Sequence, residues 1–214
     1  VDNPEESVYY GSSKVTGTTT VPHVQAVLGR AELDGGGGAN LHGGPTVADN
    51  PAGIAIDLVD EKIYWSVTHP SSGTTPRIYR ANLDGTGSPE EFVTGNTSTP
   101  AGTAMNSTPS ALVIDQSTRR LYWSSSDSAP PFDLTQKAIS YVSLDGPVPA
   151  TSGGTVAVST GTGSGGPRPF AMDLENDRLF FGDTTGDAIG VAQIPGKTGT
   201  NSRFTVTGAT PSDP

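Results

Sequence analysis

The chain has 214 residues, of which 28 are Gly and 18 Pro, with 33% hydrophobic residues, no Cys and a formal net charge of −10. So much Gly and Pro, with no window holding apolar residues in helical period beyond a turn or two, leaves the chain to strands and turns. The acidity and the lack of any Lys/Arg cluster argue against nucleic acid, an anionic bilayer would repel the chain, no run of about 18 apolar residues is there to span a membrane, and disulfides are excluded.

The chain opens on Val1-Asp2, and at Val8-Tyr9-Tyr10-Gly11 an aromatic pair begins 7 residues after the Asp. Arg30-Ala31-Glu32-Leu33-Asp34-Gly35 then alternates apolar and polar residues into a Gly turn. This is a strand entering a hairpin, because Asp-Gly supplies the positive φ that tight turns need. From Pro51 the layout returns as Ala55-Ile56-Asp57, Ile63-Tyr64-Trp65-Ser66 and Arg80-Ala81-Asn82-Leu83-Asp84-Gly85, followed by a last strand, Glu91-Phe92-Val93-Thr94. A third copy runs through Val113-Ile114-Asp115, Leu121-Tyr122-Trp123-Ser124, Tyr141-Val142-Ser143-Leu144-Asp145-Gly146 and Thr155-Val156-Ala157-Val158. The fourth has Ala171-Met172-Asp173, Leu179-Phe180-Phe181-Gly182, a degenerate Val191-Ala192-Gln193-Ile194-Pro195-Gly196 and Arg203-Phe204-Thr205-Val206.

Asp2, Asp57, Asp115 and Asp173 are therefore equivalent, separated by 55, 58 and 58 residues. A fixed period of this kind marks a repeat architecture. Each unit reads as four short antiparallel strands, which is a β-propeller blade. The expected fold is all-β, a single propeller domain over 1–214 with blades at about 1–50, 51–108, 109–166 and 167–214. Thin blades burying faces against neighbours suit the modest hydrophobic content. The runs Thr16 to Thr20, Gly35 to Gly38 and Thr151 to Gly166 read as long loops.

The repeated Asp57, Asp115 and Asp173, with Asp2, are the candidates for chemistry. Equivalent strand ends converge near a propeller's channel, and clustered carboxylates attract a cation such as Ca²⁺ or shift one another's pKa. The structural alternative, which is the better supported, is that each Asp satisfies backbone N–H groups at a strand end. The pairs Tyr64-Trp65 and Tyr122-Trp123 are candidates for a stacking platform, though strand neighbours face opposite ways and one ring of each pair is expected to pack between blades. His23, His42 and His69 fall in different expected loops without paired spacing, so no zinc signature exists. Gly163-Ser164-Gly165 has no helix after it and Gly35 to Gly38 no following Lys-Ser/Thr, so neither a nucleophile elbow nor a phosphate loop is indicated. The acidity reads as solubility, with an acidic binding face as the alternative. The sequons Asn96-Thr97-Ser98 and Asn106-Ser107-Thr108 lie in a Thr/Pro-rich loop that would accommodate glycans in a secreted protein.

A Pro, an apolar strand ending Ile-Asp, then Ile-Tyr-Trp-Ser and Arg-Ala-Asn-Leu-Asp-Gly resembles the YWTD repeat, the class B repeat of the low-density-lipoprotein receptor family. Residues 51 to 95 match it best, and the third repeat, about 109 to 160, is clear. The resemblance implies a six-bladed propeller outside the cell or on its surface that binds proteins without catalysis, its motif residues holding blades together. This chain departs from the family in three ways. The motif's final Asp is Ser12, Val67 and Ser125 in three repeats and is kept only as Asp183, four repeats stand where six are usual, and no cysteine-stapled module follows.

The expected function is a non-catalytic secreted or surface module that binds a protein or glycan, or copies of itself, with no cofactor. The alternative is a propeller hydrolase or lyase with a divalent cation in the channel, although the Glu and Asn pattern of propeller lactonases is not found. Thr210-Pro211-Ser212-Asp213-Pro214 and Val1-Asp2 each supply part of the strand pattern seen at Thr108-Pro109-Ser110 onward. The two ends are expected either to complete one blade in a closed ring, or to belong to a piece of a longer propeller or to partial rings that join through strand edges.

Overall fold

The computed structural model describes residues 7–18, 21–43, 51–67, 77–94, 108–126, 138–150, 153–158, 167–183, 188–194 and 202–205, and every element among them is a strand. The first sheet holds β1 (Ser7–Thr18), β2 (Val21–Glu32) and β3 (Ala39–Gly43). The second holds β4 (Pro51–Asp57), β5 (Lys62–Val67), β6 (Arg77–Asn82) and β7 (Glu90–Thr94). The third is β8 (Thr108–Asp115), β9 (Arg120–Ser126), β10 (Ala138–Ser143) and β11 (Gly153–Val158), and the fourth β12 (Pro167–Asp173), β13 (Arg178–Asp183), β14 (Ala188–Gln193) and β15 (Ser202–Thr205). In every sheet strands neighbour one another in chain order. Asp2, the sequons at Asn96 and Asn106, and residues 206–214 lie outside the described residues.

The recurrent 7-residue offset is a hairpin. Asp57 pairs with Lys62, Asp115 with Arg120 and Asp173 with Arg178, so a four-residue turn separates each pair. The last residue of each turn is left-handed although none is Gly: Glu61 at φ 51°, Arg119 at 53° and Asp177 at 55°. That conformation costs a side-chain-bearing residue about 1–2 kcal/mol. A repeated hydrogen bond offsets it. The carbonyls of Glu61, Arg119 and Asp177 accept from the N–H groups of Leu83, Leu144 and Ile194 at 2.8, 2.9 and 3.0 Å. The two sequence landmarks of each repeat are thereby tied together at one end of the sheet. The expected Asp-Gly turns are present, with Gly35 at φ 87° and Gly85 at 83°.

Each first strand is irregular after its Pro, the register shifting between Pro51 and Ile54, Pro109 and Leu112, and Pro167 and Phe170. Such bulges accommodate the missing N–H of Pro but leave an amide off the ladder. The Ser of Tyr-Trp-Ser takes it up. Ser66 Oγ accepts from Gly53 N at 2.9 Å and Ser124 Oγ from Ala111 N at 3.3 Å.

The strands β4, β8 and β12 pack successively on one another, and the sheets stack through both faces. Tyr64 joins Leu112, Leu121, Trp123 and Val142 between the second and third sheets, while Trp65 joins Leu28 and Tyr9 of the first. Tyr122 meets Leu179 and Phe181 of the fourth. The first aromatic of each pair therefore faces the following sheet and the second the preceding one. This corrects the expectation of one inward ring per pair. Tyr64, Trp65, Tyr122 and Trp123 are all fully buried, because a sheet with neighbours on both sides has no solvent face. None offers an open ring to a ligand.

Three further expectations are corrected. The run Thr151 to Gly166 is not all loop, because Gly153–Val158 is β11, paired with β10. Thr16 to Thr18 continue β1, which pairs with β2 out to Thr18 and Val21, since the β-branched Thr and Val here favour a long ribbon over a loop. His23 lies in β2 and His42 in β3, not in loops; His42 is buried and stacks on Trp65 with ring centroids 6.2 Å apart. His69 lies outside the described residues.

Candidate functional site

The hairpin end of the sheets carries Asp57, Asp115 and Asp173, each the last residue of a first strand. Asp115 Oδ1 accepts from Ser117 N at 2.9 Å, Ser117 Oγ at 2.7 Å and Thr118 N at 3.2 Å, and its Oδ2 from Thr118 Oγ1 at 2.6 Å. Burial works to raise its pKa, but the bonds from Thr118 and Ser117 outweigh it and hold the carboxyl below the ordinary value. Asp173 receives Asn176 N and Nδ2 on Oδ1, both at 3.1 Å, and Arg178 Nη2 on Oδ2 at 3.3 Å. Its pKa is also lowered, chiefly by the Asn176 side chain.

Asp57 is solved differently. Its own hairpin offers Val59 N at 3.0 Å but no side-chain donor, as Leu58 and Val59 have none. The missing donor comes from the next sheet. Arg119 Nη1 reaches Asp57 Oδ1 at 2.5 Å, its Nη2 bonds Asp60, and its Nε bonds Asp145 Oδ1 at 3.2 Å. Asp57 is 0% exposed and Arg119 16%. The bond to Asp57 holds the guanidinium protonated beyond its ordinary range. Gln116 Nε2 donates to Ile56 O at 2.8 Å and Ala150 N to Phe92 O at 2.7 Å, closing the same seam.

Ca²⁺ takes 6–8 oxygen ligands. The oxygens of Asp115 and Asp173 accept from their own hairpins, and of the six oxygens of these three carboxylates Asp57 Oδ2 alone is buried without a hydrogen-bond partner. No group of three or more His, Asp or Glu there is arranged to hold a metal ion. The carboxylates therefore cap turns. Sequence reasoning missed Arg119, Gln116 and the two Ser residues. The first was detectable only by aligning the repeats, where the column Glu61, Arg119, Asp177 changes sign in one member.

No protein-family model matches the chain. A curated relative, Protein cueball of Drosophila yakuba, is 27% identical over 135 residues, which is 63% of this chain and 17% of that protein. Among solved structures, a nidogen/laminin complex is matched at TM-score 0.62 and 20% identity over 94% of this chain and 61% of that one. A periplasmic gluconolactonase of Pseudomonas aeruginosa is matched at TM-score 0.55 and 12% identity over 86% of this chain and 50% of that one. This chain thus spans less than two thirds of each. Together with the stacked four-stranded meanders, these likenesses establish the fold: the chain is a β-propeller.

Proposed function

We propose that the chain is a non-catalytic propeller module of the YWTD type, secreted or at a cell surface, that works by binding a protein, a glycan or copies of itself. One observation carries the reading. What repeats in the chain has a structural task, the Asp capping hairpins, the Ser holding bulge amides and the aromatic pairs filling seams, so the repeated residues serve the scaffold and not a reaction. The likeness to a structure solved as a nidogen/laminin complex supports protein binding by this architecture, and the Ile-Tyr-Trp-Ser layout of the chain itself is what suggests the repeat type.

The second reading, a hydrolase or lyase using a divalent cation, is favoured by the gluconolactonase likeness. Hydrolysis of glucono-δ-lactone with and without Ca²⁺ or Mn²⁺, run beside melting curves in the same cations, separates the two. The expected result is background turnover and an unshifted melting temperature. Saturable, cation-dependent hydrolysis would establish the second reading. Production in a secreting eukaryotic cell, followed by intact mass, tests the sequons, and glycan mass lost on Asn96→Gln or Asn106→Gln is the expected outcome.

A further inference from the structure

Val59 and Asp60 stand where the hairpin of the third sheet has Ser117 and Thr118, so the hairpin of the second sheet holds neither side-chain donor for its own Asp57. The exchange does not serve packing. Leu58 is 47% exposed and Val59 62%, and the Asp60 side chain is 50% exposed although Arg119 bonds it. A turn that neither caps its own carboxylate nor buries its apolar side chains breaks two local rules at once, and such departures are where function is expected to act.

Arg119 fixes what lies beside this turn. Its Nη2 bonds Asp60 and its Nε bonds Asp145 Oδ1 at 3.2 Å, so residues 58–61 are held against the turn at 145–149 of the next sheet. The far end of that second turn is pinned as well, by the bond from Ala150 N to Phe92 O at 2.7 Å. Between the two anchors Pro147, Val148 and Pro149 are exposed, Val148 at 36%. Leu58 and Val59 on one side of the clasp and Val148 on the other are therefore apolar tips held in place.

Charge decides what fits them. Four carboxylates, Asp57, Asp60, Glu61 and Asp145, are answered here by the one guanidinium of Arg119, while Lys62 donates to Asn82. Asp57 Oδ2 is buried with no donor at all. A second copy of this chain, at a net charge of −10, would bring like charge to the patch. Neutral glycans stack on open rings, which the patch lacks, and acidic glycans are repelled by it. A segment that carries Lys or Arg beside apolar side chains matches the tips and the carboxylates together.

We propose that this patch docks a basic, apolar segment of a partner protein, with its aliphatic side chains on Leu58, Val59 and Val148 and its cations on Asp60, Glu61 and Asp145. The proposal rests on the binding-module reading and gives that reading a site and a class of partner. Arg119 then has a second task, since the same fork that satisfies Asp57 sets the spacing of the two turns.

A random peptide library displayed on phage and panned on the folded chain should enrich sequences that carry Lys or Arg among apolar residues. One enriched peptide, synthesised with a fluorescent label, should bind with a micromolar Kd by anisotropy and weaken roughly tenfold between about 50 and 500 mM salt. Leu58→Gln with Val59→Ser places the residue types of the third sheet's hairpin in the second, so the fold is kept while the apolar tip is lost, and the Kd should rise about tenfold or more. Glu61→Lys should raise it by a similar factor, whereas Glu175→Lys, the same charge change on the fourth sheet's hairpin, should leave it unchanged. Val148→Ser is the replacement if the double variant melts far below the parent. No enrichment, enriched peptides without net positive charge, or a Kd that either the apolar or the Glu61 substitution leaves unchanged would each overturn the proposal. A basic peptide that ignores these substitutions places the partner elsewhere and leaves the binding-module reading standing. Cation-dependent lactone hydrolysis with the peptide still docked here would remove that reading and keep the site.

Discussion

The seam between the second and third sheets and the seam between the third and fourth share one apolar lock and differ in one charged column. Tyr64 and Trp123 fill the first, Tyr122 and Phe181 the second. In the first, the left-handed turn residue is Arg119, which crosses to Asp57 and Asp60; in the second the same position is Asp177. The carboxylate it would face there, Asp115, already has Ser117 and Thr118 as donors. A buried carboxylate at the end of a first strand must be satisfied, and the two seams reach that by different routes. Asp57, with Leu58 and Val59 in its turn, draws a cation across the seam, whereas Asp115 is served locally.

The apolar lock carries the largest effect. Trp123→Ala and Tyr64→Ala each remove a fully buried ring and should each cost roughly 3–5 kcal/mol in urea or thermal unfolding. Tyr122→Ala, facing the other seam, should fall in the same range. A small loss at either ring of the Tyr122-Trp123 pair would mean that one face of the third sheet is not sealed.

Next comes the clasp. Arg119→Ala leaves Asp57 buried and unpaired, at a cost of about 3 kcal/mol. Arg119→Lys should recover only part, since one ammonium cannot bond Asp57, Asp60 and Asp145 in the fork geometry. Equal stability of the Ala and wild-type chains would reduce the network to a surface decoration.

The local solution has a pH signature. A carboxyl whose folded pKa lies below its unfolded one adds stability above the unfolded value, which is lost as pH falls through 3.8 toward the lower folded value. Thr118→Val deletes the bond to Asp115 Oδ2, so it should cost about 1.5 kcal/mol at neutral pH and flatten the decline below pH 3.8. A loss of the same size at pH 2 and pH 7 would point to packing of the Thr side chain and not to its hydroxyl.

How far the sequence carried these features depends on their range. The hairpins, the Asp-Gly turns and the order of strands were legible because each rests on residues within one repeat, as with Asp57, Tyr64 and Gly85. The left-handed turn residues were not, since Glu61, Arg119 and Asp177 share a conformation that nothing in their side chains announces. The double burial of Tyr64 and Trp65 was missed because alternation was read for a sheet with one wet face. Arg119 pairs with an Asp 62 residues earlier, so its partner is visible only once the sheets are stacked.

The smallest effect sharpens the comparison most. Asp177→Arg places the clasp residue in the second seam without backbone penalty, because Arg119 already holds the same left-handed conformation and the Asp177 carbonyl keeps its bonds from Ile194 N and Gln193 Nε2. If Asp115 is satisfied by its own hairpin, a new guanidinium gains only what a redundant, partly exposed ion pair gains, and stability measured against Asp177→Asn, which removes the native carboxylate's own interactions, should change by less than about 1 kcal/mol. The paired test is Thr118→Val with Asp177→Arg in one chain. There Asp115 has lost a donor, and the imported Arg should now restore about the amount the Thr118 substitution took away, a coupling of roughly 1 kcal/mol or more in a double-mutant cycle. Strict additivity of the two changes would mean that local and imported donors do not substitute for each other, and that the two seams differ in more than the source of one hydrogen bond.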